Sequence, residues 1–232
     1  MISEAIAKLK QLQDRDNGVN QQYVFQPIPK ADTLPRQKVD FDTLFNETAK
    51  RLCRTPYKEN NVIETLKRHF LQLSDFDKYY LVKNESNIFK GLLVFGDFGV
   101  GKSMFFNIMH EMGKELVLKH GYQGLHFSKL SCPWIVEEYM RATEKGYAGN
   151  FNITQYYKGK LYLDDLGAER LAFGRDNIIA DLLFERHRNG SMTYITTNLK
   201  PSELTEKYGA RIGDRLPEAF NIIKWEGESY RK

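Results

Sequence analysis

From Leu92 to Trp225 the chain alternates between short apolar runs and longer stretches in which apolar residues recur every three or four positions. The runs Leu92–Phe95, Leu125–Phe127, Leu161–Leu163, Thr193–Thr196 and Ile222–Trp225 are each bounded by polar residues or glycine, and they predict strands. Helical spacing fills Trp134–Lys145 and Asn177–Arg188. Asn61-x-x-Glu64 has the form of a capping box, opening a helix whose apolar stripe is Ile63, Leu66, Phe70 and Leu73. Alternation of buried-type strands with helices predicts an α/β domain, a parallel sheet covered on both faces.

Upstream, the pattern changes. Ser3 to Arg15 predicts a short helix, with Ser3 as N-cap and Ile6, Leu9 and Leu12 on one face. From Asp16 to Asp40 the periodicity dissolves, and three of the seven prolines fall inside QPIPKADTLPRQ. That composition belongs to a linker, or to an arm that orders on a partner. The expected organisation is therefore an N-terminal arm, 1–39, followed by one α/β domain, 40–232.

Composition narrows the class without deciding it. The 232 residues, 41% hydrophobic and 28% charged, suffice for one good-sized core. A net charge of +4 demands no nucleic-acid partner. Cys53 and Cys132 stand in unrelated contexts without metal-type spacing, as reduced thiols of a cytosolic protein do. No apolar run reaches the roughly 18 residues of a membrane span, and the charged N-terminus is no secretory signal. The expectation is a cytoplasmic protein with no membrane partner.

The chemistry begins at GLLVFGDFGVGKSMFF. Gly96 to Ser103 fits G-x-x-x-x-G-K-[ST] after a strand and before a helix, the context in which such a loop cradles phosphates. Gly96, Gly99, Val100 and Gly101 form the backbone cradle. Lys102 reaches the β- and γ-phosphates and Ser103 holds Mg²⁺, with the helix N-terminus behind them. In KLYLDDLGAE a strand ends in Asp164 and Asp165. One acid is suited to the metal and its neighbour to orienting the attacking water, and the doubled acid favours a nucleoside triphosphatase over a small-molecule kinase. Glu169 is a second candidate base, or a solvated residue at a helix start.

Two further elements leave alternatives open. In TYITTNLKP, Asn198 stands where the strand emerges, placed either to sense the γ-phosphate or simply to form a turn before Lys-Pro. In YGARIGDRL, Arg211 and Arg215 are four apart and share a face if helical. They either pair with Asp214 or Glu218 on the surface or serve a neighbouring protein's nucleotide in trans.

Taken in order, the loop, LDDLG, TTNL, YGARIGDRL and the terminal SYR resemble the AAA+ ATPases of the DnaC helicase-loader and IstB transposition-helper group, over roughly Val39 to Arg231. The resemblance implies a P-loop fold with a five-stranded parallel sheet of order 5-1-4-3-2, and homo-oligomers with ATP and Mg²⁺ at subunit interfaces. It implies Lys102 and Ser103 as the phosphate-loop pair and Asp164 and Asp165 as the acidic pair. It further implies Asn198 as first sensor, Arg215 as the finger given to the neighbour with Arg211 one turn before it, and Arg231 as second sensor. Asp165 replaces the glutamate of many members, which implies slow hydrolysis. The sequence stops one residue after Arg231, which implies a lacking or minimal helical lid.

The function implied first is loading of a replicative helicase onto DNA, single-stranded by expectation. The alternatives are an IstB-like transposase helper and a nucleotide-gated scaffold with little turnover. Lys114, Lys119 and Lys129, with Tyr122 among them, offer cations and a ring to a strand, but isolated lysines are more often a solvated face, and no DNA-contact residue is assigned.

Overall fold

A computed structural model describes residues 40–53, 57–73, 89–144 and 151–230, all within the unit Leu34–Lys232. The expected helix Ser3–Arg15, the proline-rich arm and Arg231 lie outside the described residues.

Five parallel strands form the sheet: β1 (Gly91–Gly96), β2 (Ser128–Ser131), β3 (Leu161–Leu166), β4 (Thr193–Thr197) and β5 (Phe220–Trp225). They lie in the order β2-β3-β4-β1-β5, which is 5-1-4-3-2 read from the other edge. β1 lies between β4 and β5, pairing Leu93 with Ile195 on one side and Ile222 on the other. Alternation along the strands sends Leu92, Val94, Tyr162 and Tyr194 to one face and Leu93, Leu161, Leu163 and Ile195 to the opposite one.

The first face is covered by α1 (Phe41–Leu52), α2 (Asn61–Leu73) and α3 (Lys102–His120). Its core is aromatic: Phe106 stacks on Tyr162 with centroids 4.5 Å apart, and Phe70 lies 5.0 Å from Tyr194. The second face is covered by α4 (Cys132–Glu144), α5 (Ile178–Arg188), α6 (Pro201–Tyr208) and the short α7 (Ala210–Gly213), through Ile135, Ile179, Leu182, Leu204 and Ile212. A last short helix, α8 (Leu216–Ala219), leads into β5. Arg186 is buried on α5, where its guanidinium donates to Thr193 Oγ1 and to the carbonyls of Tyr156, Gly159 and Met192. Burial pulls its pKa down to about 10.

Several boundaries differ from the sequence expectation: β3 runs on to Leu166 and β5 begins at Phe220. The second strand is Ser128–Ser131, not Leu125–Phe127. Leu125 and Phe127 are buried, but the chain there still turns, with His126 N–H donating to Gln123 O. As the sheet's edge, β2 needs little apolar surface, so its polar sequence hides it. The cap of α2 is Asn60, whose Oδ1 accepts from Ile63 N–H at 2.9 Å, so the cap stands one residue earlier than the Asn61 box. The helix expected from Trp134 begins at Cys132, with Ser131 Oγ accepting from Trp134 N–H, and its described part ends at Glu144. Both cysteines are unbridged, and burial pushes the Cys132 thiol well up, which makes it inert.

Candidate functional site

The loop between β1 and α3 is a left-handed excursion. Gly96, Gly99 and Gly101 have φ of 142°, 76° and 106°, values that side chains resist. At Gly96 a Cβ would also lie 2.0 Å from Trp225 O, so the loop can leave β1 beside β5 only without a side chain there. The loop is tied to the segment after β5. Asp97 N–H donates to Trp225 O (3.1 Å), Gly227 N–H to Asp97 Oδ2 (3.2 Å) and Tyr230 N–H to Gly99 O (3.0 Å). Val100 is buried in the aromatic core and anchors the loop from below.

Lys102 opens α3 with its side chain 6% exposed. Its ammonium donates to Gly96 O (2.8 Å), Asp97 O (2.6 Å) and Asn198 Oδ1 (2.8 Å). Asn198 follows β4 directly, so the loop and the end of β4 meet through this lysine.

Ser103 Oγ donates to Asp164 Oδ1 at 2.7 Å. The same oxygen accepts from Tyr162 Oη (2.7 Å), Thr196 Oγ1 (2.6 Å) and Asp165 N–H (3.1 Å). Tyr162 and Thr196 thus fix the carboxylate from two adjacent strands. Sequence reasoning passed over both. The available signal was strand periodicity, which puts Tyr162 and Asp164 on one face. Asp165 is exposed at a left-handed φ of 54°, so the doubled acid splits: one carboxyl inward, one at the surface.

Glu169 is neither a solvated helix start nor placed as a base. It is 7% exposed and lies outside any helix. Its carboxylate accepts from Gly167 N–H (2.9 Å) and Tyr208 Oη (2.5 Å) and faces Lys207 Nζ at 3.5 Å. Burial, and after it the Glu169 charge, drives the Tyr208 phenol far up. The carboxylate staples the β3–α5 loop to α6.

Arg211 and Arg215 do not share one helix, because α7 ends at Gly213 and Arg215 caps α8. Both guanidinium groups nevertheless meet the Phe184 ring of α5, with Cζ 3.9 Å and 4.6 Å from its centroid. Among the described residues neither pairs with Asp214 or Glu218; Glu218 faces His187 at 3.2 Å. The lysines considered for DNA are engaged locally: Lys114 with Glu111, Lys119 with Glu115, and Lys129 with Asn107.

The donor set suits a nucleotide with magnesium. A glycine cradle at a helix N-terminus takes phosphate. One hydroxyl and one carboxylate, with phosphate and water completing the shell, suit Mg²⁺, which seldom uses an all-protein cage. Among the described residues no group of three or more His, Cys, Asp and Glu could hold an ion alone. No helix there is long and apolar enough to cross a membrane.

No family model matches the chain. Over 179 residues, 70% of its length, it is 27% identical to the replicative helicase loader DnaI of Bacillus subtilis (strain 168), and it spans about half (53%) of that relative. In fold it is similar to the DnaC helicase loader (TM-score 0.53, 21% identity, 77% of this chain and 98% of that one). It is similar also to DnaI (TM-score 0.50, 22% identity, 86% and 95%). The five-stranded parallel sheet of this order is the fold the chain shares with these structures, and the 27% identity to a replicative helicase loader agrees with the resemblance carried by the sequence motifs.

Proposed function

We propose that this chain is an ATPase that delivers a replicative helicase to single-stranded DNA, acting as a homo-oligomer with ATP between subunits. The observation that carries this reading is the meeting of Lys102 with Asn198 and of Ser103 with Asp164 at the carboxyl ends of the strands, in a chain similar to a replicative helicase loader.

ATP with Mg²⁺ supplies the transferable phosphoryl group and the metal that neutralises its charge. The chain's own residues do the positioning. Lys102 would exchange its carbonyl partners for the β- and γ-phosphates, while Asn198, next to the lysine, would touch the γ-phosphate. Ser103 and Asp164 would hold the metal, with Tyr162 and Thr196 keeping the carboxylate in one orientation. Asp165 would orient the attacking water. Arg215, with Arg211 beside it, would serve the neighbouring subunit's phosphates, and Arg231 its own subunit's. The N-terminal arm, 1–39, would grip the helicase.

The test pairs the full chain with the replicative helicase of its own replicon. The expected result is DNA-stimulated ATP turnover and ATP-dependent deposition of helicase on a closed single-stranded circle, both lost in Lys102→Ala. Binding to a transposase on duplex DNA without helicase deposition would replace this reading with the transposition one. ATP binding without turnover would replace it with a scaffold.

A further inference from the structure

We infer that Phe184 is the positioning residue for the trans-acting arginines, an inference that rests on the proposed role of Arg215. Three separate segments meet here: Phe184 from the half-buried side of α5, Arg211 from α7 and Arg215 from the cap of α8. Both guanidinium carbons lie well inside the roughly 6 Å within which a ring face attracts a cation.

The choice of a ring over a carboxylate has a chemical reason. An arginine that must neutralise charge building on a phosphoryl group has to be held in place without being neutralised. A carboxylate would hold it but cancel its charge, occupy its in-plane N–H groups and have to be displaced at each encounter. A ring face holds the guanidinium by its flat side, leaving the charge and the N–H edge available for bidentate bonds to phosphate. The neighbouring acids are arranged accordingly. Glu218 is turned to His187, and among the described residues Asp214 makes no ion pair. Two like charges on one ring repel each other, so the arrangement concentrates positive charge where a surface pairing would dissipate it.

The experiment compares Phe184→Leu, Phe184→Tyr and Arg215→Ala by steady-state ATP hydrolysis at assembling concentration. Phe184→Leu is expected to lower kcat about tenfold, the scale of one to two cation–ring contacts, with KM for ATP unchanged. Phe184→Tyr, which keeps the ring, should retain the parent rate. Mixing supplies a readout that a merely structural role would not move. Phe184→Leu keeps its own Asp165, so mixing it with Asp165→Asn should recover activity. Mixing it with Arg215→Ala should recover none, because both lack the same half of the interface. If Phe184→Leu hydrolyses at the parent rate while Arg215→Ala is impaired, the positioning role is wrong. It is equally wrong if Asp165→Asn fails to rescue Phe184→Leu but does rescue Arg215→Ala. Should Phe184→Leu be poorly folded, Phe184→Met, unbranched and better able to fill an irregular gap, replaces it under the same criteria. If Arg215→Ala itself hydrolyses normally, the finger reading falls first, and that outcome is separate from the others.

Discussion

Ser103 Oγ and Asp164 Oδ1 stand 2.7 Å apart, joining the first turn of α3 to the end of β3 across 61 residues of chain. A divalent cation would enter between these two oxygens, and their partners set what removing either does. Ser103→Ala leaves Asp164 held by Tyr162 and Thr196, so the domain should stay folded. ATP affinity measured with Mg²⁺ should fall about tenfold, the scale of one contact to a charged group, while affinity measured in EDTA stays unchanged. Equal loss in both conditions would remove Ser103 from the metal.

Asp165 and Glu169 separate by environment. Asp165→Asn should keep ATP bound and nearly stop hydrolysis, with no change in melting temperature, because the residue is exposed. Glu169→Ala should do the reverse. It removes the partner of a buried phenol and an N–H group, costing about 1–3 kcal/mol of stability, with turnover per folded molecule little changed. Thermal melts and single-turnover hydrolysis on the two variants decide it, and an inactive, fully stable Glu169→Ala would reverse the assignment.

Arg215→Ala should fold and bind ATP normally and hydrolyse poorly; arginine fingers elsewhere supply about 10³–10⁵ in rate. Mixed with Asp165→Asn it should regain part of the activity, since each variant lacks a different half of a shared site. Mixed oligomers that form and stay inactive would leave Arg215 as a surface residue.

His69 makes stability depend on pH. It is 1% exposed, both ring nitrogens lack hydrogen-bond partners, and burial lowers its pKa to about 4. The unfolded chain, with an ordinary histidine near 6.5, takes up the proton first as pH falls. Stability from this residue is therefore complete above about pH 6.5 and is lost between there and about pH 4, by up to about 3 kcal/mol. His110, also lowered to about 4 by burial, adds in the same direction. Replacing His69 by Phe should make the melting temperature depend less steeply on pH between 4 and 6.5, with His110 left to supply the remainder, and an unchanged slope would exclude this source.

The phosphate loop, the acidic strand end and the strand–helix alternation were legible because each is contiguous. The glycines announce a backbone that side chains would block, and β3 and β4 announce themselves by burial on both faces. What stayed hidden is set by register between strands. Thr196 reaches Asp164 because β4 lies beside β3, a pairing local sequence does not encode. The edge strand β2 was misplaced because apolar content marks buried strands and β2 is only half covered. Glu169 was misread because its partners Tyr208 and Lys207 come from a helix far along the chain. The spacing of Arg211 and Arg215 suggested a common face; what they share is a ring on another helix.

The ties from Asp97 and Gly99 to Trp225, Gly227 and Tyr230 make the phosphate loop and the segment after β5 a single mechanical part. Any shift of this backbone would pass to that segment directly through these hydrogen bonds. The segment is exposed, so a partner packed against it would sense the conformation of the phosphate loop without touching the nucleotide site itself.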